Sequence, residues 1–565
     1  MKIFHEFIPK SVLYLRKGYT FSSFKKDLFA GLTVGVIALP LAMAFAIASG
    51  VSPERGLFTA IVAGFLISAF GGSRVQIGGP TGAFVVIVYD IIQRTGYEGL
   101  AISTLIASLM LIAFALFRLG TWIKFIPYPL ITGFTTGLAL VIFSSQVKDF
   151  FGFQMGALPA DFIGKWLAYI QAWPTLHLPT LALGAATLAM ILALRRWAPK
   201  IPWGITAIVL PTLVSVLFHL PVETIYSKFG TIPNELPFPS LPSLSIPIAK
   251  MSEILVDAIA IAFLGGIESL LSCVIADGMI GGRHKSNCEL MGQGIANFAS
   301  ILFGGIPATG AVARTAANVK CGAQTPLAGM IHALSILCIM FFAAPLVSYI
   351  PLASLAAILM VIAWNMSEMG HFLRLMKAPV GDVAILVTAF TLTVLVDIIF
   401  AISFGMVLAS FLFMKRMSEF SKTVSLTPLF REKGPEFPER SDPDSISNKH
   451  VPEGVEVFEV QGPFFFGAAD MLHDLTKLSP KVFILRMRQV PMIDASGMHA
   501  LKEFFFRCQK TNTILLLSGV HGQTEADLKE FGIAHLIGEH HIFPKFDLAL
   551  ARASELLIPF KKNNL

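Results

Sequence analysis

Two ionisable residues and two short chain breaks, all set in apolar surroundings, are where this sequence can do chemistry. Glu268 sits in Ala262-Phe263-Leu264-Gly265-Gly266-Ile267-Glu268-Ser269-Leu270-Leu271-Ser272. A carboxylate at a membrane-helix centre costs about 2.5–3.5 kcal/mol on insertion scales, so it needs a proton, a partner or an aqueous cavity. Such a group can carry a coupling proton, or hold a coupling cation with Ser272 one turn on; the alternative is a carboxyl that only ties helices together. Arg314 lies inside a second apolar segment, in Thr309-Gly310-Ala311-Val312-Ala313-Arg314-Thr315. A fixed cation there attracts anions, or else forms an ion pair with Glu268 or another carboxylate, and the two roles are compatible if an anion competes with the carboxylate. The breaks themselves are Gly78-Gly79-Pro80-Thr81-Gly82-Ala83 and Pro307-Ala308-Thr309-Gly310-Ala311, about 230 residues apart.

Gly/Pro-rich breaks at matching places in two halves of a membrane protein point to a transporter's binding site. Backbone without helical partners cannot face lipid, so it must line a cavity or pack on protein. The helix that each break starts aims free N–H groups and roughly half a positive charge at whatever sits there, an arrangement suited to an anion. Thr81, Thr309 and Thr315 offer hydroxyls, and Gly82 and Gly310 let a ligand approach the backbone closely. Tight helix packing is the competing use of such residues. It is a sufficient account of Gly31-x-x-x-Gly35, Gly133-x-x-x-Gly137 and Gly278-x-x-x-Gly282. Asp90 and Asp397, near segment ends, read as surface or capping residues.

The elements that must position these groups are membrane spans. The 565 residues are 55% hydrophobic and 14% charged, against roughly 25% charged in a soluble domain. Apolar runs near the ~20 residues that cross a bilayer recur from about residue 28 to 414. They read as twelve full spans and two interrupted ones, at 76–93 and 305–321. That makes two halves of seven segments with the interrupted segment third in each. Sliding Thr81-Gly82-Ala83 onto Thr309-Gly310-Ala311 puts Pro40 opposite Glu268. Seven is odd, so the second half starts from the opposite side and the repeats are inverted.

The net charge of +7 does not point to nucleic acid, because it concentrates in alternate loops. Lys10, Arg16, Lys25, Arg118, Arg195, Arg196, Arg283, Lys285, Arg374, Lys377 and Lys415 fall on one side, and few basic residues fall on the other. This positive-inside bias puts both termini in the cytoplasm. The first 26 residues show no cleavable signal, so the first span is expected to direct insertion. Five cysteines show no metal spacing and receive no chemistry. A phosphate-binding Gly-x-x-x-x-Gly-Lys-Ser/Thr loop, an HExxH motif and an assembled Ser/His/Asp set are all missing from the sequence. An enzyme is therefore not expected, nor a cofactor or a bound metal.

Composition shifts near Met417. The expected organisation is a cytoplasmic segment at 1–26, a membrane domain at 27–416, a Pro-, Ser- and charge-rich linker at 417–452 and a soluble α/β domain at 453–560. Within the last, 454–461, 481–488 and 513–518 read as strands, and 468–478, 496–511 and 522–531 as helices.

The chain resembles the SulP sulfate-permease family, whose animal members include pendrin and prestin. The resemblance rests on Ala30-Gly31-Leu32-Thr33-Val34-Gly35 through Ala38-Leu39-Pro40, on Gly78 to Ala83 and on Ile267-Glu268-Ser269-Leu270-Leu271. It continues through Pro307 to Ala311 with Arg314-Thr315, and Gln324-Thr325-Pro326-Leu327-Ala328-Gly329. The tail resembles a STAS domain through Gly462-Pro463-Phe464-Phe465-Phe466 and Val490 to Gly497. The resemblance implies a uracil-permease-like fold of seven-plus-seven inverted repeats, split into core and gate, with one anion between the N-termini of the third and tenth segments. It implies anion contacts at Ala44 and Phe45 in the first span, at Thr81, Gly82 and Ala83, and at Thr309, Gly310, Ala311 and Arg314. Glu268 matches the eighth-segment acidic position. A sodium-coupled bicarbonate relative has aspartate there and threonine one turn on, so Glu268 with Ser272 favours a proton over sodium. Ser496 matches the residue phosphorylated in anti-sigma-factor antagonists. A homodimer is expected from the family, with a cytoplasmic protein partner at the STAS domain.

The function expected is proton-coupled sulfate uptake across a bacterial inner membrane. Sodium- or proton-coupled bicarbonate transport and dicarboxylate transport are the near alternatives. An anion channel or a regulatory anion sensor is the alternative of a different class. Arg314 argues against an uncharged nucleobase.

Overall fold

Long apolar runs become helices wherever backbone polar groups must be satisfied without water. The structure, a computed structural model, describes residues 6–16, 18–121, 127–156, 159, 161–198, 203–242, 250–396, 398–420, 422–425, 451–465, 472 and 480–562. Internal contacts divide the chain into two units, residues 1–409 and 410–565.

The first unit begins with α1 (Phe21–Ala48), capped by Thr20 and carrying Pro40 inside it, and α2 (Pro53–Phe70). A two-residue strand, β1 (Gly78–Gly79), precedes α3 (Gly82–Leu116). Gly96, at φ 71° and ψ −174°, divides α3 into two arms, where the sequence predicts one segment to end and the next to start. Then follow α4 (Tyr128–Ser145), the amphipathic α5 (Phe162–Ala172), α6 (Leu178–Trp197) and α7 (Trp203–Leu217). The second half repeats the pattern with α8 (Met251–Ile280), α9 (Ser286–Leu302), the two-residue strand β2 (Thr309–Gly310) and α10 (Val312–Lys320). It closes with α11 (Leu327–Val347), α12 (Leu352–Met366), α13 (Val380–Leu395) and α14 (Ile398–Phe420). Among the described residues, nine helices are long and apolar enough to cross a membrane.

Packing sorts these helices into two groups. In one, α3 lies against α8 and α9, α2 against α9, and α1 and α2 against α11; in the other, α4 lies against α12 and α13, and α6 against α7 and α12. Small residues set the close approaches. Cβ atoms added at Gly31 and Gly35 would run into α11 at Ala328, Ile331 and Ser335, and at Gly133 and Gly137 into α13 at Leu386 and Thr393. The third glycine pair is not a packing motif: a Cβ at Gly278 meets nothing within 4 Å, and Gly282 lies beyond the end of α8. Asp90 is a half-buried residue paired with Arg94 at 2.8 Å, and Asp397 lies outside the described residues.

In the second unit, β3 (Lys422–Ser425), β4 (Val455–Gln461), β5 (Val482–Gln489), β6 (Ile514–Ser518) and β7 (Ile542–Phe543) form one sheet in that order. β3 joins antiparallel and the other neighbours are parallel. The helices α15 (Ala495–Lys510), α16 (Gln523–Glu530) and α17 (Phe546–Lys562) accompany it. β3 comes from the stretch expected to be linker, and its short polar sequence gives no strand signal until β4 is there to pair with. The helix expected at 468–478 lies outside the described residues, apart from Leu472. Ser496 is exposed in the first turn of α15, beside the Asp494 cap that accepts the Gly497 N–H at 2.8 Å.

Candidate anion site

The two breaks meet. β1 and β2 pair antiparallel, Gly78 with Gly310 and Gly79 with Thr309. Each strand leads into a helix N-terminus, capped by Thr81 for α3 and by Ala311 for α10, and neither cap makes a side-chain hydrogen bond. The register differs from the one expected. Thr81 is a cap residue, whereas Thr309 lies in the strand two residues before its cap, so the shared Thr-Gly-Ala triplets are not structural equivalents.

Arg314, two residues into α10, is buried at 4% exposure. Its Nη2 donates to the Pro80 carbonyl beside the α3 cap. Its Nη1 is buried and has no hydrogen-bond partner, and the same is true of the Thr81 hydroxyl. No carboxylate pairs with Arg314 among the described residues, so the ion pair with Glu268 is not formed. A buried cation and a buried hydroxyl without partners are costly unless something completes them. The backbone makes room for this cation: Gly79 has φ 143°, and a Cβ there would stand 2.9 Å from Nη1.

The other expected residues divide. Phe45 faces the start of α3, where a Cβ on Gly82 would stand 3.4 Å from its ring, 3.2 Å from Ile142 of α4 and 3.1 Å from Met366 of α12. Both packing groups therefore meet at Gly82. Ala44 and Ala83 are buried beside it in sequence. The Thr309 hydroxyl instead donates to the Gly265 carbonyl at 2.9 Å, tying β2 to α8. The Ala311 N–H is taken by the Ile77 carbonyl at 2.8 Å. Gly310 is pressed by the Gln76 amide, which a Cβ would meet at 1.6 Å. Glu268, one turn after Gly265 on α8, is 8% exposed, and no hydrogen bond to it is formed among the described residues. The nearby Glu368 carboxylate acts on it electrostatically. Ser272 turns away to donate to the Thr315 hydroxyl at 3.2 Å, which in turn accepts the Ile77 N–H at 3.0 Å. Ser272 thus braces α10 through Thr315. Among the described residues no cluster of His, Cys, Asp or Glu could hold a metal ion.

Sequence reasoning missed what stands behind the site. Glu289, at the start of α9, is fully buried and accepts from Gly72 N at 2.8 Å, Ser73 N at 3.2 Å, Ser269 Oγ at 3.0 Å and Gln293 Nε2 at 2.9 Å. Gln76 Nε2 donates to Ser269 Oγ at 3.0 Å, so the chain of bonds runs from Glu289 to the amide under Gly310. The signal was an acidic residue just inside an apolar segment, but the sequence gives its four partners no common address. His332 of α11 was also missed. Its two ring nitrogens are buried without hydrogen-bond partners, and it lies within electrostatic reach of Arg314.

Two outcomes follow from this geometry. Gly310→Ala places a methyl on the Gln76 amide and is expected to abolish transport, whereas Gly278→Ala, with open space, leaves it intact; uptake by matched proteoliposomes checks both. Glu289→Ala strands four buried donors and is expected to destabilise the fold on the order of 3 kcal/mol. Thermal unfolding in detergent measures it.

Residues 24–389 match the sulfate permease family and residues 447–549 the STAS domain. The chain belongs to the sulfate permease family. As a member of it, the protein is a multi-pass membrane transporter and not an enzyme, with a STAS domain at its C-terminal end. YvdB of Bacillus subtilis (strain 168), provisionally named a sulfate transporter, is 41% identical over 94% of this chain and 98% of its own length. The bicarbonate transporter BicA of Picosynechococcus sp. is 30% identical over 90% of this chain and 91% of its own. The fold of the permease is that of the murine Slc26a9 anion transporter, solved in an inward-facing state. The two superimpose with a TM-score of 0.86 at 17% identity, covering 98% of this chain and 95% of that one. The solved transmembrane domain of a cyanobacterial BicA covers 69% of this chain and 98% of its own, with a TM-score of 0.62 at 30% identity.

Proposed function

We propose that this permease takes up sulfate, bound as a single anion between the N-termini of α3 and α10, together with a proton carried by Glu268. The observation that carries the reading is the buried Arg314 guanidinium, whose Nη1 is left without a partner where two helix N-termini converge. Two dipole ends and one fixed cation hold a divalent anion, with the backbone N–H groups of the first turns as donors. Glu268, buried without a hydrogen bond among the described residues, is cheaper to keep protonated than ionised in an apolar setting, and the anion and the proton offset each other's charge in transit. Ser272 is bonded to Thr315 and no His, Cys, Asp or Glu cluster that could hold a metal ion is found among the described residues, which favours a proton over sodium. The group of helices around α3, α8 and α10 moves against the group around α4, α12 and α13, with Phe45, Ile142 and Met366 at the seam.

In this reading fourteen crossings place both termini in the cytoplasm of a bacterial inner membrane. The membrane domain at 27–416 is joined to the regulatory domain at 453–560. The protein works as a homodimer, and exposed Ser496 offers a cytoplasmic partner its modification point. The test is uptake by proteoliposomes under an inward proton gradient. Sulfate accumulation is expected. Bicarbonate is the second reading, favoured by the 30% identity to BicA over most of the chain, and accumulation of bicarbonate but not sulfate would replace the first with it.

A further inference from the structure

We propose that a second anion site stands at the mouth of the cleft between the two helix groups, with the Lys165 ammonium as its cation and a small oxyanion such as sulfate as its ligand. The inference rests on the anion-transport reading only for the class of ligand.

A cavity of about 460 Å³ is lined by Tyr89, Asp90, Ser145, Lys148, Lys165 and Lys228, among others. It lies on the side that the loop charges place outside. Val85, Val86 and Tyr89 of α3 form one wall, one to two turns beyond Gly82. The charges around this cavity are accounted for, with one exception. Asp90 pairs with Arg94, Asp149 with Lys228 at 3.2 Å, and the Asp161 carboxylate accepts the Gly164 N–H at 2.6 Å. The Lys148 ammonium donates to the Met155 and Gly156 carbonyls, both at 2.9 Å.

Lys165, on the first turn of α5, is 4% exposed, and no hydrogen bond or ion pair of its ammonium is formed among the described residues. The ammonium stands 5.7 Å from the centroid of the Tyr89 ring, which also lines the cavity. A lysine this buried is ordinarily paired. Burial pulls its pKa below the usual lysine range, with Asp161 and Asp90 opposing the shift from a distance. An anion in the cavity would supply the missing counter-charge while leaving the satisfied groups in place. At the entrance of a cleft with low-dielectric walls, such a cation concentrates incoming anions and hands them one turn further to Gly82.

The experiment is equilibrium dialysis of radiolabelled sulfate against the purified full-length protein and three variants, with thermal unfolding as the folding control. Wild type is expected to bind two sulfates, and Arg314→Ala one. Arg314→Ala combined with Lys165→Met is expected to bind none. Lys165→Met alone should retain Vmax for uptake while raising KM about fivefold at low salt, an effect erased at high salt, and Lys165→Arg should restore it. One sulfate in wild type, lost with Arg314→Ala and unmoved by Lys165→Met, would overturn the second site while leaving the transport reading standing. No sulfate bound by wild type would overturn sulfate as the transported anion, and the second site with it.

Discussion

Arg314→Ala is expected to weaken sulfate binding by at least about 100-fold, roughly 3 kcal/mol, and to reduce uptake to background. Hydrogen bonds to charged groups contribute about 1.5–3 kcal/mol each, and the guanidinium has Nη1 free to make one while Nη2 stays on the Pro80 carbonyl. The loss also removes a fixed full charge at the convergence, leaving two helix dipoles. Arg314→Lys keeps the charge but not the fork, since one ammonium cannot both hold Pro80 and reach the anion from the same rotamer; about a tenfold loss is expected. Calorimetric titration of purified protein with sulfate reads both values. Full affinity in a folded Arg314→Ala protein would remove Arg314 from the site.

Glu268→Gln is expected to separate binding from work. Glutamine has the shape of a protonated glutamate, so sulfate affinity and sulfate–sulfate exchange should survive within about threefold. Accumulation should not. Each pH unit of gradient supplies about 1.4 kcal/mol per proton, a factor of ten. An inward gradient of about 1.5 units with the membrane potential clamped at zero therefore supports about 30-fold accumulation at one proton per anion. The variant should reach no more than equality inside and out. The pH dependence has a definite sign: wild-type uptake rises as the outside is acidified, because the loaded carrier must hold its proton, and the variant's uptake is flat. Undiminished accumulation by Glu268→Gln would mean that another group couples, and His332, buried beside Arg314, would be tested next.

Much of this was legible in the residues. Segment positions were readable because an apolar run of bilayer length admits few structures, and because Gly96 breaks α3 where polarity rises. The pairing of the two breaks was also readable, since Gly/Pro clusters inside apolar segments have few other uses. Their register was not. The Thr-Gly-Ala triplet repeats in sequence, yet Thr81 caps a helix and Thr309 bonds to Gly265 from within a strand, because the bond each hydroxyl makes is decided by α8 and not by its own neighbours. One-turn spacing and the family resemblance make Ser272 a candidate partner of Glu268, and neither signals the bond to Thr315 that it makes across the α8–α10 contact. Glu289 and Lys165 were invisible for a related reason. Their significance lies in the hydrogen bonds around them, four for one and, among the described residues, none for the other, and these are a property of packing. In the soluble domain, β4 and β5 show themselves by β-branched and aromatic content and β6 by a short apolar run, whereas β3 and β7 are short edge strands made by their neighbours.

The most direct measurement is anomalous diffraction from crystals grown with selenate, a sulfate analogue whose selenium can be located independently of the protein. A selenium peak is expected between the Thr81 and Ala311 caps, within hydrogen-bond reach of Arg314 Nη1, and its loss in Arg314→Ala crystals. Selenate bound only elsewhere, with no peak at the paired helix starts, would contradict this placement.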